Sequence, residues 1–212
     1  MQTISIVLVG VGGYGAKICK NALDNAQAYG IEIVGVVEYN LNASPMKEAI
    51  LAQNIPVYTA LEDFYAEHKA DLAIICTPTY LHCGQSIYAL SKGSCVLCEK
   101  PAAPTVEDAQ IMIEAEKQYG RFIAIGYQWS FSDTMQRLKM DILRGVFGKP
   151  VSFKTAISWP RNRAYYGRGS GWGGRIEKDG HLILDSIASN ACAHYLHNML
   201  FLWEIVCKPV RG

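Results

Sequence analysis

The 212-residue sequence is short of charge, and the charge that it has is balanced. Charged residues make up 18% of the chain, against roughly 25% in an ordinary globular protein. The 20 Lys and Arg residues nearly cancel the 19 Asp and Glu residues, which argues against nucleic acid or an anionic membrane as a partner. No apolar run approaches the roughly 18 residues of a membrane helix. No basic segment precedes the first apolar strand, so a signal peptide is not predicted.

A second cysteine pair, of the kind that completes a zinc site, is also lacking. The one close pair is Cys95 and Cys98, and two residues three apart on a strand point to opposite faces. Most of the seven cysteines lie inside apolar stretches, as reduced cysteines do in cytoplasmic proteins. We therefore expect a cytoplasmic protein with no bound metal.

Apolar strands that alternate with helices occupy the first 126 residues. The strands are expected at 4–9, 31–37, 71–76, 94–98 and 122–126. Strands that are apolar throughout are typical of a parallel sheet covered by helices on both faces. This pattern predicts a doubly wound α/β domain of the Rossmann type over residues 1–126.

The remaining residues, 127–212, have a different pattern. Helices are expected at 131–144 and 183–206, with a break near the start of the second left open, and an alternating strand is expected at 151–158. One strand and two helices make a poor independent domain. We expect the beginning of an α+β domain whose sheet is incomplete in this chain.

A glycine-rich turn follows the first strand and precedes the first helix. Gly10, Gly12 and Gly15 have the spacing at which a chain turns tightly, approaches a pyrophosphate and packs a helix close to a sheet. Glu38 ends the second strand, where a carboxylate binds a ribose 2′-hydroxyl and repels a 2′-phosphate. These residues predict NAD as the cofactor, with NADP less favoured. Gly13 and Tyr14, within the turn, are included in the predicted site.

Three segments of the sequence resemble the Gfo/Idh/MocA family of oxidoreductases. They read "GVGGYGAK", "AIICTPTYLHCGQSIYALSKG" and "VLCEKPAAPTVEDAQIMIEAEKQYG", and the resemblance covers residues 3–206. It implies a dinucleotide-binding domain, then a substrate domain with a mostly antiparallel sheet, and hydride transfer on sugars, cyclitols or related compounds. It also implies that 127–212 is an incomplete substrate and oligomerisation domain, with a homo-oligomer formed through its sheet.

The resemblance makes Lys100, in the segment "EKP", the candidate catalytic residue. Lys100 lies at the carboxyl end of a predicted parallel strand, where such sheets bind ligands. A partly desolvated lysine beside a cationic nicotinamide can have a lowered pKa and exchange a proton with a hydroxyl. The resemblance also implies that further residues line the cofactor: Thr77, Pro78, His82, Glu99 and Gln128. A structural role for His82 at the start of its helix is nearly as well supported.

The family's Asp-x-x-x-His pair can be aligned here in two ways. Asp185-x-x-x-Ser189 keeps the aspartate, whereas Asn190-x-x-x-His194 keeps the histidine. We favour the second, with His194 catalytic, because an imidazole can accept a proton near neutral pH. Asn190 and Asp185 are then expected to bind substrate. The same role is predicted for residues of the arginine- and aromatic-rich loop and the segment after the fifth strand, namely Arg163, Trp172 and Tyr127.

The sequence therefore predicts a nicotinamide-dependent oxidoreductase acting on a small polyol or sugar. Two alternatives remain open at this point. One is a regulatory protein that binds NAD without turnover, and the other is a truncated fragment that binds the cofactor only.

Overall fold

The computed structural model describes residues 3–167 and 171–207. The chain divides into two compact units, residues 1–126 and residues 127–212.

The first unit is built on a six-stranded parallel sheet. Its strands are β1 Ile4–Val9, β2 Ile31–Val37, β3 Val57–Tyr58, β4 Leu72–Ile75, β5 Cys95–Cys98 and β6 Ile123–Ile125. They lie in the order β3-β2-β1-β4-β5-β6, and every neighbouring pair is parallel. This is the strand order of the dinucleotide-binding doubly wound fold, so the predicted Rossmann-type sheet is confirmed.

Five helices connect these strands, together with a 3₁₀ turn at Leu41–Ala43. They are α1 Gly15–Tyr29, α2 Lys47–Ala52, α3 Leu61–Glu67, α4 Thr79–Ser91 and α5 Val106–Tyr119. The ends of α5 follow local chemistry. The Thr105 hydroxyl accepts a hydrogen bond from the backbone N–H of Asp108 at its start, and Gly120 adopts the left-handed conformation just past its end.

Apolar side chains cover both faces of the sheet, and β1 shows how. Val7 and Val9 contribute to one buried cluster with Phe64 and Leu90, which come from α3 and α4. Ile6 and Leu8 point the other way, into a second cluster that includes residues of α1 and α2. Successive residues of a strand point to opposite faces, so a strand buried on both sides must be apolar at every position.

The second unit begins with a 3₁₀ turn at Gln128–Phe131 and is largely helical. Its helices are α6 Asp133–Leu143, α7 Arg163–Gly167 and α8 Ala193–Cys207, and a hairpin pairs β7 Glu177–Lys178 with β8 His181–Leu182. A π-type turn at Ile187–Ala191 precedes α8 and is separated from it by Cys192. The helix predicted at 183–206 is therefore broken near its start: residues 183–186 have no regular secondary structure, and the α-helix begins at Ala193.

The strand predicted at 151–158 is wrong. Residues 150–162 have no regular secondary structure, and Val151 is 90% exposed. A strand is stabilised mainly by hydrogen bonds and side-chain contacts with a neighbouring strand. In the part of this unit that the structure describes, the hairpin of β7 and β8 is the only sheet.

Candidate functional site

The predicted cofactor residues of the first unit lie at the carboxyl edge of its sheet. Gly10 follows β1, Glu38 follows β2, Thr77 follows β4 and Lys100 follows β5. Strand order reverses between β1 and β4, and such sheets bind ligands outside the carboxyl ends of their strands at this point. The fold therefore brings residues far apart in sequence to one edge.

Close packing requires glycine at two positions of the turn, Gly10 and Gly15. A Cβ added to Gly10 would lie 3.0 Å from the backbone carbonyl of Cys76, and Gly10 has a φ of +82°. A Cβ on Gly15 would lie only 2.1 Å from the carbonyl oxygen of Gly10, far inside van der Waals contact. Gly13 has a φ of +49° with open space around it. The turn therefore has no room for a side chain at Gly10 or Gly15, but it has room for one at Gly13.

The N-terminus of α1 suits a phosphate. Tyr14 occupies the N-cap position without a capping side-chain hydrogen bond, and the first turn of the helix has no acidic residue. The partial positive charge at such a helix start attracts anions. The Ala16 and Lys17 N–H groups donate to the carbonyl oxygens of Gly12 and Tyr14. The helix dipole, which no carboxylate in the first turn of α1 opposes, is therefore the feature that fits the pyrophosphate of a dinucleotide.

The Glu38 carboxylate lies against the glycine turn. Its Oε2 accepts a hydrogen bond from the Val11 backbone N–H at 2.9 Å, and its Oε1 accepts one from the Asn40 N–H at 3.2 Å. The position of a Cβ on Gly12 is 4.0 Å from Oε2. Two backbone donors thus hold the carboxylate beside the turn, where a ribose hydroxyl is expected.

His82 is 1% exposed and bridges the loops that follow β4 and β5. Its Nδ1 lies 2.9 Å from the carbonyl oxygen of Pro101, and its Nε2 lies 2.9 Å from that of Thr77. Burial lowers the pKa of His82, while the carbonyl contacts oppose that shift. Both ring nitrogens thus face backbone oxygens, so the side chain joins the Thr77 loop to the segment that follows Lys100.

Glu99 and Lys100 form a half-buried pair of residues after β5. The Glu99 carboxylate accepts a hydrogen bond from the Lys100 backbone N–H at 3.1 Å, and the Lys100–Pro101 peptide is cis. Burial raises the pKa of Glu99, while the Lys100 backbone hydrogen bond and charge lower it. A Cβ on Gly126 would lie 2.8 Å from Glu99 Oε1, so this glycine leaves room for the carboxylate.

An aromatic cluster in the second unit surrounds His194, which is 7% exposed. The His194 ring stacks on Trp129 with centroids 4.7 Å apart and meets Tyr127 edge-on at 6.0 Å. Tyr127 also stacks on His197 at 4.2 Å, and His197 Nε2 lies 3.2 Å from the Ser130 hydroxyl. The predicted residues Tyr127 and His194 are therefore neighbours, and His197 packs beside them.

Asn190, predicted to bind substrate, and His194, predicted to be catalytic, are on different helical segments. Asn190 lies in the π-type turn, and His194 lies in the first turn of α8. Ser186 and Ser189 form a capping box that begins the π-type turn, so Asp185 lies outside it. The sequence alone suggested that each four-residue spacing is one turn of a continuous α-helix. In the structure, neither spacing is.

The other predicted substrate residues precede the π-type turn. Arg163 begins α7. The Asp185 Oδ2 accepts a hydrogen bond at 2.5 Å from the backbone N–H of Gly174, which lies two residues after Trp172 in the sequence.

Gln128 was predicted to contact the cofactor. It begins the 3₁₀ turn that follows Tyr127.

Sequence reasoning missed Arg161 and its aromatic neighbours. The Arg161 guanidinium lies 4.2 Å from the ring centre of Trp159 and 4.5 Å from that of Tyr165. The available signal was the loop composition, from which we selected Arg163 and Trp172. Pairing Arg161 with Trp159 required the three-dimensional path of the chain.

Within residues 3–167 and 171–207, no group of three or more His, Cys, Asp or Glu side chains could hold a metal ion. In the same residues no helix is long and apolar enough to cross a membrane.

The sheet order, the glycine turn and the acidic end of β2 define a dinucleotide-binding Rossmann domain. The Gfo/Idh/MocA family, described as an oxidoreductase family with an NAD-binding Rossmann fold, matches residues 4–127. That is more than half of the chain, and the protein belongs to this family. The predicted family, Rossmann fold and NAD class of cofactor are confirmed.

Two curated relatives are a little over a quarter identical to this chain within the aligned segments. It is 28% identical over 173 residues to 2,7-anhydro-N-acetylneuraminate hydratase of Mediterraneibacter gnavus, covering 77% of this chain and 44% of that protein. It is 29% identical over 154 residues to inositol 2-dehydrogenase of Salmonella typhimurium, covering 71% and 44%. The chain thus spans less than half the length of these relatives.

A solved structure extends the similarity into the second unit. The WlbA dehydrogenase from Bordetella pertussis, in complex with NADH and UDP-GlcNAcA, is 28% identical and aligns with a TM-score of 0.78. The alignment covers 94% of this chain and 58% of that one.

Proposed function

We propose that the protein is an NAD-dependent oxidoreductase acting on a hydroxyl of a sugar, cyclitol or related polyol. The observation that carries this proposal is that the glycine turn, Glu38 and Lys100 lie at one edge of one parallel sheet. Inositol 2-dehydrogenase and the NADH-bound WlbA dehydrogenase among its relatives support the same class of reaction. We propose residues 1–126 as the cofactor domain and 127–212 as part of the substrate domain.

The first unit supplies the groups to hold NAD. The turn from Gly10 to Gly15 and the start of α1 bind the pyrophosphate, and Glu38 binds the adenosine ribose. A 2′-phosphate would place negative charge beside this carboxylate, which favours NAD over NADP. When bound, NAD supplies the acceptor for the hydride. Thr77, Pro78 and Glu99 complete the first unit's proposed cofactor-binding set, with Gly12, Gly13 and Tyr14 in the turn, and His82 is proposed to support it by position. Gln128 of the second unit is proposed as a further cofactor contact.

Lys100 is proposed to accept the proton of the reacting hydroxyl. Oxidising an alcohol to a carbonyl removes a hydride from carbon, which bound NAD would accept, and a proton from oxygen, which the Lys100 amine in its neutral form would accept. The His82 contact to Pro101 fixes the backbone directly after Lys100. His82 thereby acts through position rather than by touching the substrate.

His194 is proposed as the second proton-transfer residue, with Asn190, Asp185, Trp172, Arg163 and Tyr127 binding substrate. Its ring is held by stacking on Trp129 and by the edge of Tyr127, which restricts its orientation. A double-mutant cycle tests whether Lys100 and His194 serve one proton. If they do, Lys100→Met with His194→Asn loses less activity than the product of the two single losses.

NADH formation from a panel of inositols, neutral sugars and sugar acids tests the proposed activity. We expect absorbance from NADH with NAD and at least one member of the panel, and less with NADP. An NAD complex that is never reduced by any member would instead support a regulatory protein or a cofactor-binding fragment.

Hydration or dehydration is a second candidate reaction, favoured by one observation. The Mediterraneibacter gnavus relative, 28% identical, is a hydratase. A net addition of water leaves NAD unchanged, so product would form without accumulation of NADH. Chromatography of the panel reactions alongside the absorbance measurement separates the two candidates.

We propose a cytoplasmic location and a homo-oligomer for this protein. The cysteines that the structure describes are free, and most of them are at least half-buried, which suits a reducing compartment. Large apolar side chains on the second unit, including Phe147 and Leu200, are exposed and suit contact with another subunit. Light scattering of the purified chain tests the oligomer, and a monodisperse monomer would contradict it.

A further inference from the structure

We propose that Arg161 forms a binding site for an anionic group of the substrate, so that the substrate is a sugar acid or a sugar nucleotide rather than a neutral polyol. This inference rests on the proposed function, because it names the substrate class of the same oxidoreductase. It begins from the surroundings of one guanidinium group in the second unit.

Arg161 is a half-buried cation. Among the described residues, no Asp or Glu oxygen forms an ion pair with it. The segment from Ser158 to Arg175 contains four arginines and no acidic residue. An arginine stays charged at all physiological pH values. A partly desolvated charge is costly when nothing pairs with it, so the site favours an incoming anion.

The hydrogen-bonding groups of Arg161 are only partly used. One NH1 donor reaches the Pro160 carbonyl oxygen at 3.2 Å. Nε is buried and has no hydrogen-bond partner among the described residues. The rings of Trp159 and Tyr165 lie 4.2 and 4.5 Å from the guanidinium carbon. Ring contacts of this kind engage the π-face of the guanidinium, whereas carboxylates and phosphates bind its in-plane N–H groups.

Two lines of contacts lead from Arg161 to the predicted substrate residues. Tyr165 accepts a hydrogen bond through its hydroxyl from Asn190 Nδ2 at 3.1 Å. Trp159 stacks with Trp129 at 6.5 Å, and Trp129 stacks with His194 at 4.7 Å.

These contacts place the cation in the same aromatic cluster as Asn190 and His194. An anionic group held by Arg161 would therefore orient the rest of the substrate toward the proposed proton-transfer residue. Trp159 is also 48% exposed, which leaves its ring accessible to a bound ring or base.

Calorimetric titration of the full 212-residue chain with four probes tests this site. Glucose is neutral, glucuronate carries a carboxylate, UDP-glucose carries a diphosphate and UDP-glucuronate carries both. We expect no heat with glucose and binding of at least one anionic probe. Binding of glucuronate but not UDP-glucose identifies a carboxylate site, and the reverse identifies a diphosphate site.

Substitution of Arg161 decides whether it is the receptor. For any probe that binds, Arg161→Gln should raise the Kd roughly ten- to hundredfold, as expected for a lost charge-assisted hydrogen bond. Arg161→Lys keeps the positive charge but loses the planar pair of guanidinium donors, so the loss of affinity should be smaller than for Arg161→Gln. The exposed Arg144 of the same unit provides the control, and Arg144→Gln should leave the Kd within about twofold.

Two results would overturn the proposal: equal affinity of Arg161→Gln and the unsubstituted chain, or no binding of any anionic probe by a chain that binds NAD. If Arg161→Gln unfolds, the Arg161→Lys titration decides. An unchanged NAD affinity in these variants separates this site from the cofactor site. Arg161-dependent binding without NADH formation would count against the proposed function and leave this site standing.

Discussion

The imidazole Nδ1 of His82 lies 2.9 Å from the carbonyl oxygen of Pro101. Its Nε2 lies at the same distance from the Thr77 carbonyl oxygen. A neutral imidazole has one N–H, so it can donate only one of these hydrogen bonds at a time, whereas the charged ring can donate both. Burial nonetheless lowers the pKa of His82 and outweighs the carbonyl contacts. In its neutral form the ring therefore donates a hydrogen bond to one of the two loops and only contacts the carbonyl oxygen of the other.

The folded protein should become less stable as falling pH protonates the His82 imidazole. Because the pKa of His82 is lower in the folded state, the unfolded chain binds the extra proton first. The free energy of unfolding should decrease as pH falls from about 7.5 through about 6.5. His82→Gln should flatten that slope and cost about 1–3 kcal/mol at pH 7.5, since it leaves a buried carbonyl oxygen without its donor.

Urea unfolding across this pH range measures the effect of His82. The pKa of His197 is also lowered by burial. His197→Gln should therefore separately reduce the slope of the free energy of unfolding against pH. Identical slopes for His82→Gln and the unsubstituted protein would show that His82 does not titrate as described.

Alanine at two glycines should have opposite effects. Gly15→Ala places a methyl group 2.1 Å from the Gly10 carbonyl oxygen and should abolish NAD binding with a loss of several kcal/mol of stability. Gly84 lies in α4 with open space around it, so Gly84→Ala should stabilise by about 0.5–1 kcal/mol. Thermal unfolding and NAD titration of both variants check this. A stable Gly15→Ala that binds NAD normally would refute the tight turn.

Glu38 should set the preference for NAD. Glu38→Ala removes the acceptor of the Val11 N–H and should weaken NAD binding by roughly 1.5–3 kcal/mol. Glu38→Ala should also reduce the difference in binding affinity between NAD and NADP. Glu38→Gln keeps an acceptor for Val11 and loses the charge, so it should relax the preference with a smaller loss of NAD affinity. Equal affinity of the unsubstituted chain for both cofactors would contradict this role.

Glu99→Gln should stabilise the protein at neutral pH. Because burial raises the pKa of Glu99, its ionised form is disfavoured in the folded state. The gain in stability should be complete above the folded pKa and vanish below the unfolded value of about 4.3. Glu107, in the first turn of α5, is the control. Glu107→Gln should instead cost about 0.3–1 kcal/mol, because a negative charge at a helix start is favourable.

Melting temperatures of the two glutamine variants at pH 7 and pH 4 measure this difference. Because Glu99 belongs to the proposed cofactor set, Glu99→Gln should also weaken NAD binding. A lower melting temperature for Glu99→Gln at pH 7 would mean that the contact with Lys100 outweighs burial.

The main sheet could be predicted because its strands are buried on both faces and are apolar at every position. The strand β3, Val57–Tyr58, was missed because two residues at a sheet edge produce no recognisable period. The strand expected at 151–158 failed for a different reason. A strand needs a neighbour, and its own alternating pattern does not supply one.

The candidate site was predictable where its chemistry is local. The glycine turn and its helix are contiguous in sequence, so their spacing alone indicated a phosphate site. The His82 bridge depends on backbone carbonyls of Thr77 and Pro101, which carry no signal in the sequence. The spacing from Asn190 to His194 suggested one helical turn because the capping box of Ser186 and Ser189 was not recognised.

The rate of NADH formation by Lys100→Met, on any substrate that reduces NAD, tests the central claim most directly. Methionine keeps much of the side-chain volume but cannot exchange a proton. We predict a loss of roughly 10²–10⁴-fold in turnover, with the Kd for NAD within about twofold of the unsubstituted value. Near-normal turnover by Lys100→Met would contradict the account, because the residue that we assign to proton transfer would then be dispensable.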